Sequence, residues 1–134
     1  MKKYPHNEDI KIVLKDKADF VQHEGLNYLI PQWQLFADKY VITEDSLYEW
    51  LNDLDTRKII DEILEVLSKT ERRKVEVVLK PIDTKVIKNT FEINECIWGN
   101  EVEKSNKYDR RKNWYYYRIN EKIFCNEIGK FSKR

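Results

Sequence analysis

His6, His23, Cys96 and Cys125 make up the whole supply of imidazole and thiol groups in this chain of 134 residues. Structural zinc sites draw ligands in closely spaced pairs, so that one turn or loop presents both to the ion. No two of these four residues lie at such a spacing, so no metal site is expected. A cysteine becomes a nucleophile when a base or positive charge holds it as thiolate. Nothing around Cys96 or Cys125 marks either as activated, and both are expected to be buried and inert. Gly25, Gly99 and Gly129 stand alone, which excludes a glycine loop cradling phosphate, and no cofactor is expected. Carboxylates, lysines and tyrosines remain as catalytic material. Without a convergent polar set among them, the expected class is a non-enzymatic binding protein.

Two segments carry side chains suited to binding. Asp45, Glu49 and Asp53 recur every fourth residue, which places them along one helix face as an acidic ridge with Asp55 close by. Metal-dependent hydrolysis needs carboxylates that converge on one ion, whereas a row along a helix diverges into solvent. The ridge suits a basic partner surface instead, much as a set of nucleic-acid phosphates would. The second segment is KYDRRKNWYYYRI, residues 107–119. As a strand from Trp114 to Ile119 it would put Trp114, Tyr116 and Arg118 on one face and Tyr115, Tyr117 and Ile119 on the other. One face must be core. The other would serve as an aromatic interface anchor, or as a platform for stacked bases with Arg110, Arg111 and Lys112 near the phosphates. Plain packing is the alternative reading of both segments.

The charge layout sharpens this picture. The formal net charge is +1, so no global attraction to nucleic acid is expected. Residues 1–43 carry six acids and six bases, residues 44–66 eight acids and two bases, and residues 67–134 ten acids and seventeen bases. Such a dipolar chain can steer a charged partner through a local patch.

The elements that must position these residues follow from periodicity. Ile10–Leu14, Asp19–His23 and Leu26–Ile30 read as short strands, the last two joined at Gly25. Pro31 fits the first turn of a helix running to about Tyr40, with Trp33, Phe36 and Ala37 at helical spacing. A further helix starts near Thr43, capped by Thr43 or, one turn later, by Ser46 with Glu49 as a capping box. Leu47, Trp50, Leu51 and Leu54 form its apolar face. Asp55 and Thr56 compete for backbone hydrogen bonds, so a break is expected before a second helix through Ile59, Ile60, Ile63, Leu64 and Leu67. Val75, Val78, Leu79 and Ile82 suit either a helix or a strand; the β-branched density over 74–80 favours a strand ended by Pro81. FEINECIW, Trp114–Ile119 and Lys122–Cys125 complete an antiparallel sheet, and the polar stretch between the first two reads as a long charged loop.

The expected architecture is therefore a single α+β domain over residues 1–134, helical in its centre (about 31–69), with an antiparallel sheet mainly in the C-terminal third. An aromatic content of 13% and an apolar content of 41% are enough to build a core. MKKYPHNEDIKI lacks the apolar stretch of an export signal and no run of residues is long enough to cross a bilayer, so a cytoplasmic location without membrane contact is expected. The role expected is capture of another protein in the manner of an inhibitor, such as a bacterial immunity protein that neutralises a toxin. A nucleic-acid-binding domain using residues 107–118 is the alternative.

Overall fold

The computed structural model describes residues 3–134. Helix takes up 64% of the chain, against one small antiparallel sheet near the C-terminus, so the α+β class holds with its balance far toward helix. The elements are α1 (Glu8–Val13), α2 (Asp19–Glu24), α3 (Leu26–Leu35), a π-helical turn (Phe36–Tyr40), α4 (Val41–Thr43), α5 (Leu47–Leu64), α6 (Lys69–Lys88), β1 (Phe91–Glu92), α7 (Asn100–Asn106), a 3-10 turn (Trp114–Tyr117), β2 (Arg118–Ile119) and α8 (Glu121–Asn126).

Every strand expected in the N-terminal third is a helix. Asn7 caps α1 by accepting a hydrogen bond from the Ile10 amide, and Ile10 and Leu14, one turn apart, are both buried. Gly25 does separate α2 from α3, at φ 56° and ψ −128°, a conformation open to glycine and costly for other residues. Pro31 lies inside α3 rather than at its first turn.

The acidic stretch resolves into one uninterrupted helix. Ser46, not Thr43, is the cap of α5, its hydroxyl accepting from the Glu49 amide at 3.3 Å. The break expected at Asp55 and Thr56 is absent, because the Asp55 carboxylate is engaged by the Tyr116 hydroxyl instead of its own backbone. Residues 74–80, expected as a strand, belong to α6. Ser68 and Glu71 form a reciprocal capping box at its start, and Val75, Leu79, Ile82 and Val86 bury one stripe at helical spacing. The helix continues through Pro81, which sits exposed on its outer face.

The sheet is smaller than expected. β1 and β2 pair antiparallel with Phe91 opposite Ile119 and Glu92 opposite Arg118, and the C-terminal tail adds an isolated bridge between Ile93 and Lys133. Trp114–Tyr117 is a tight 3-10 turn, the Lys122–Cys125 segment is helix α8, and the charged loop contains α7. One hydrophobic cluster unites these parts other than α7, with Trp33, Trp50, Tyr115 and Tyr116 its largest fully buried side chains. Among the described residues no helix is long and apolar enough to cross a membrane.

Cys96 is buried, as expected, and burial raises its thiol pKa; Cys125 is exposed, contrary to expectation, and both thiols are free.

Candidate functional site

Aromatic packing sets the first half of the site. Trp33 stacks on Phe36 at 5.2 Å between ring centroids, and Phe36 meets Trp50 edge-on at 5.1 Å, locking the π-helical turn against the start of α5. The extra residue in that turn keeps Phe36 and Ala37 inward and leaves Tyr40 exposed. Turns of this kind recur at functional positions because they re-aim side chains without ending a helix. The chain then leaves α4 at Glu44, whose amide donates to the Tyr40 carbonyl at 2.8 Å.

Asn120 holds that exit in place. Its side-chain amide donates to the carbonyls of Val41 at 3.0 Å and Glu44 at 2.8 Å, while its oxygen accepts from the Ile123 amide at 2.8 Å and so caps α8. One buried side chain thus satisfies an exposed helix end, a linker carbonyl and a helix start.

Fixed in this way, Glu44 lines a cleft of about 410 Å³ together with Tyr40, Glu49, Asn52 and Asp53. Glu44 is only 8% exposed, and among the described residues no group donates a hydrogen bond to its Oε2. Its charged neighbours, Glu49 and Asp53, bring further carboxylate oxygens. Burial, with Asp53 and Glu49 beside it, pushes Glu44 up to about 9. Asp53 is raised too, first by its own burial and then by Glu49, against the lowering effect of the hydrogen bond to Glu44. Carboxyl groups set this close repel one another when ionised, which adds to the burial that raises both.

The ridge expected from the sequence is therefore partly realised. Glu49 and Asp53 line the cleft; Asp45 is exposed in the linker before α5, its carbonyl accepting from Asn126 at 3.2 Å. Asp55 turns away to a different surface, where Tyr116 donates to it at 2.7 Å beside Lys17, Lys58 and Tyr108. Burial is the main cause of its raised pKa.

The basic aromatic segment is mostly consumed by the fold. No strand spans Trp114–Ile119, so the two-faced aromatic arrangement expected there does not form: Tyr115, Tyr116 and Tyr117 are all buried and Trp114 is half-buried. Arg118 donates to the Thr90 hydroxyl at 2.8 Å and to the carbonyls of Ile87 and Thr90 at 3.1 Å. Arg110 lies 4.6 Å from the Tyr117 ring centroid and donates to the Asn94 carbonyl at 2.7 Å. Lys112 pairs with Glu65 at 2.7 Å, and Arg111 is exposed.

A second polar centre lies at the floor of a cleft between α5 and α6. Arg57 donates through Nη1 to Asp61 at 2.5 Å and through Nε and Nη2 to Asp83, both at 3.0 Å. Trp33 donates to Asp83 at 2.8 Å and Tyr115 to Asp61 at 2.6 Å. Burial opposes the charge of Arg57, but the hydrogen bonds and fields of Asp83 and Asp61 outweigh it and hold the group protonated. Each charge here has its partner inside the molecule, so this centre ties α3, α5, α6 and the 3-10 turn together.

No known family matches this chain. No curated protein and no solved structure matches it either, and the reading of the site rests on its own geometry. Glu44, Tyr40 and Asn120 are the site residues that sequence reasoning missed. The signal that could have found Glu44 is the Ser46–Glu49 box, which starts α5 at Leu47 and leaves Glu44 in the linker instead of the first helical turn.

Proposed function

We propose that this protein is a non-enzymatic binding protein that captures another protein through the face around Glu44, in the manner of an inhibitor such as a bacterial toxin-neutralising immunity protein acting in the cytoplasm. The observation that carries this reading is an acidic cleft with a buried floor and an apolar rim. Tyr40 lines it, Ile42 is exposed just before Glu44, and Tyr48, 74% exposed, lies one turn from Asn52 on α5. Protein interfaces concentrate their energy in such aromatic side chains placed around a desolvated polar centre.

The acids of this face also suit a partner surface of opposite sign, which speeds encounter and selects against other partners. A nucleic-acid role loses its main support, since the tyrosines meant for stacking are core residues and Arg110, Lys112 and Arg118 already have partners within the fold.

The test uses the chain and a Glu49→Lys/Asp53→Lys variant side by side as baits, against the product of the neighbouring gene and against whole lysate, with quantitative mass spectrometry. One protein enriched by the unmodified chain and lost with the variant, at matched thermal stability, is the expected result. Equal capture by both baits would refute the assignment.

A further inference from the structure

We infer that the outer face of α6, with the cleft beside it, binds single-stranded nucleic acid: the phosphates run along Lys69, Arg73, Lys80 and Lys88, and one base enters the cleft between α5 and α6 against Trp114. The inference goes beyond the protein-binding reading and uses a different surface from the face around Glu44.

The cations come first. The three acids of α6 are all engaged: Asp83 with Arg57, Glu71 in the cap at Ser68, and Glu76 with Arg72 at 3.5 Å. Lys85 is taken by Asp38. That leaves Lys69, Arg73, Lys74, Lys80 and Lys88, all exposed and, among the described residues, without a carboxylate in ion-pair reach. Lys69, Arg73, Lys80 and Lys88 follow at intervals of four, seven and eight residues, which keeps them on one side of the helix, turned away from the buried stripe of Val75 to Val86. At about 1.5 Å of rise per residue the row is about 28 Å long. Phosphates recur about every 3.4 Å along a stacked strand, so a face of that length spans several nucleotides.

The residues between the cations select the partner. α6 contains no aromatic residue, and Val77 is the one large apolar side chain exposed on this face, while Ile87 lines the cleft at its flank. Protein interfaces draw their energy from buried aromatic and apolar anchors, and a helix lying on a membrane needs a broad apolar side. A row of unpaired cations with the small neutral residues Pro81 and Thr84 between them matches a chain of phosphates, for which charge supplies most of the affinity.

The adjoining cleft decides for a single strand. It holds about 450 Å³, and Lys80 belongs both to the row of cations and to the cleft lining. Trp114, half-buried, forms part of its wall with Leu64, Leu79 and Ile87. Arg72 and Lys112 also line it, each in an exposed ion pair, with Glu76 and with Glu65. Exposed pairs contribute little to stability, so these two cations yield readily to a phosphate. An unpaired base stacked on an aromatic side chain, with its phosphates on cations alongside, is how single strands are held without regard to sequence. A base inside a duplex stays in its own stack and does not reach such a wall.

The experiment measures fluorescence anisotropy of a labelled oligothymidylate of about twelve nucleotides, a length within the range of known single-strand sites. An abasic strand and a duplex of the same length, and poly-glutamate, are the competitors. The expected result is binding that weakens about 50-fold between 50 and 200 mM salt, the dependence that four neutralised phosphates produce. In the Arg73→Gln/Lys80→Gln/Lys88→Gln protein, at matched thermal stability, binding should be weaker and its salt dependence should shrink to about threefold. The abasic strand should bind at least about fivefold more weakly than oligothymidylate. No binding at the lower salt concentration, or unchanged binding by the glutamine protein, would overturn the inference. So would an abasic strand or a duplex bound as tightly as oligothymidylate, which would leave a charged face without a base site. Competition by poly-glutamate equal to that of the strand would also overturn it, in favour of an acidic protein partner. The capture experiment reads the face of Glu49 and Asp53, so either result can fail while the other stands.

Discussion

Replacing Glu44 by glutamine should stabilise the protein, and increasingly so as pH rises. The ordinary value for this carboxyl, 4.5, applies to the unfolded chain, whereas the folded protein holds the proton up to about 9. Between those values the native state binds one more proton than the unfolded state, so stability falls with rising pH by at most about 1.4 kcal/mol per unit. The stabilising contribution of the raised pKa is complete below 4.5 and lost as pH climbs through about 9. From pH 6 to pH 8 the loss amounts to about 2–3 kcal/mol. Glutamine does not titrate, keeps the shape of the side chain, and brings an amide that can donate to Asp53. The gap between the Glu44→Gln and native proteins should therefore widen by about 2–3 kcal/mol across that range, and taking the difference cancels other titrating groups. Urea unfolding followed by tryptophan fluorescence, with Trp33 and Trp50 buried as reporters, measures it at pH 6, 7 and 8. At a slope of about 1–3 kcal/mol per molar urea the midpoint separation should grow by about 0.7–3 M. Two stability curves that run parallel across this range would refute the reasoning, for they would mean that Glu44 is ionised in the folded protein.

Arg57→Met should cost about 3–5 kcal/mol, because it leaves Asp61 and Asp83 buried without their cation; a urea midpoint close to that of the native protein would contradict the role given to this centre. Tyr116→Phe removes the donor to Asp55 and should destabilise by about 1–2 kcal/mol, a loss measurable in the same assay and absent if water replaces the hydroxyl without cost. Gly25→Ala meets two obstacles, a positive φ of 56° and a new Cβ only 2.6 Å from the His6 ring. Its expected penalty is at least about 1–3 kcal/mol, and thermal unfolding unchanged from native would show that the α2–α3 junction relaxes freely.

Much of the helical centre was legible because it obeys local rules. Ser46 with Glu49 and the stripe Leu47, Trp50, Leu51, Leu54 declare the start of α5 from spacing, whereas its continuity through Asp55 and Thr56 depends on the Tyr116 hydroxyl. α6 was misread as a strand over residues 74–80, because the cap of Ser68 with Glu71 and the helical stripe from Val75 to Val86 outweigh the β-branched density there. Valine and isoleucine read as strand formers only when no neighbouring surface rewards helical burial, and here the core lies along one helical stripe. The short N-terminal segments were misread for a related reason. Runs as short as these are too few residues for periodicity to separate helix from strand, and their state is decided by what they pack against.

The site divides along the same line. The spacing of the acids was enough to place Glu49 and Asp53 on one face near the start of α5. Which acids meet depends on contacts across the fold. Asn120, more than seventy residues away along the chain, fixes the exit from α4 and turns Glu44 toward Asp53; Tyr116 draws Asp55 to the opposite side of α5. The three consecutive tyrosines went to the core because a 3-10 turn, unlike a strand, lets Tyr115, Tyr116 and Tyr117 all reach inward to buried partners. Spacing along one helix is a local property and can be read from sequence. Convergence of carboxyl groups depends on contacts between distant segments, and it is that convergence, not the ridge, that makes a buried carboxyl in want of a donor.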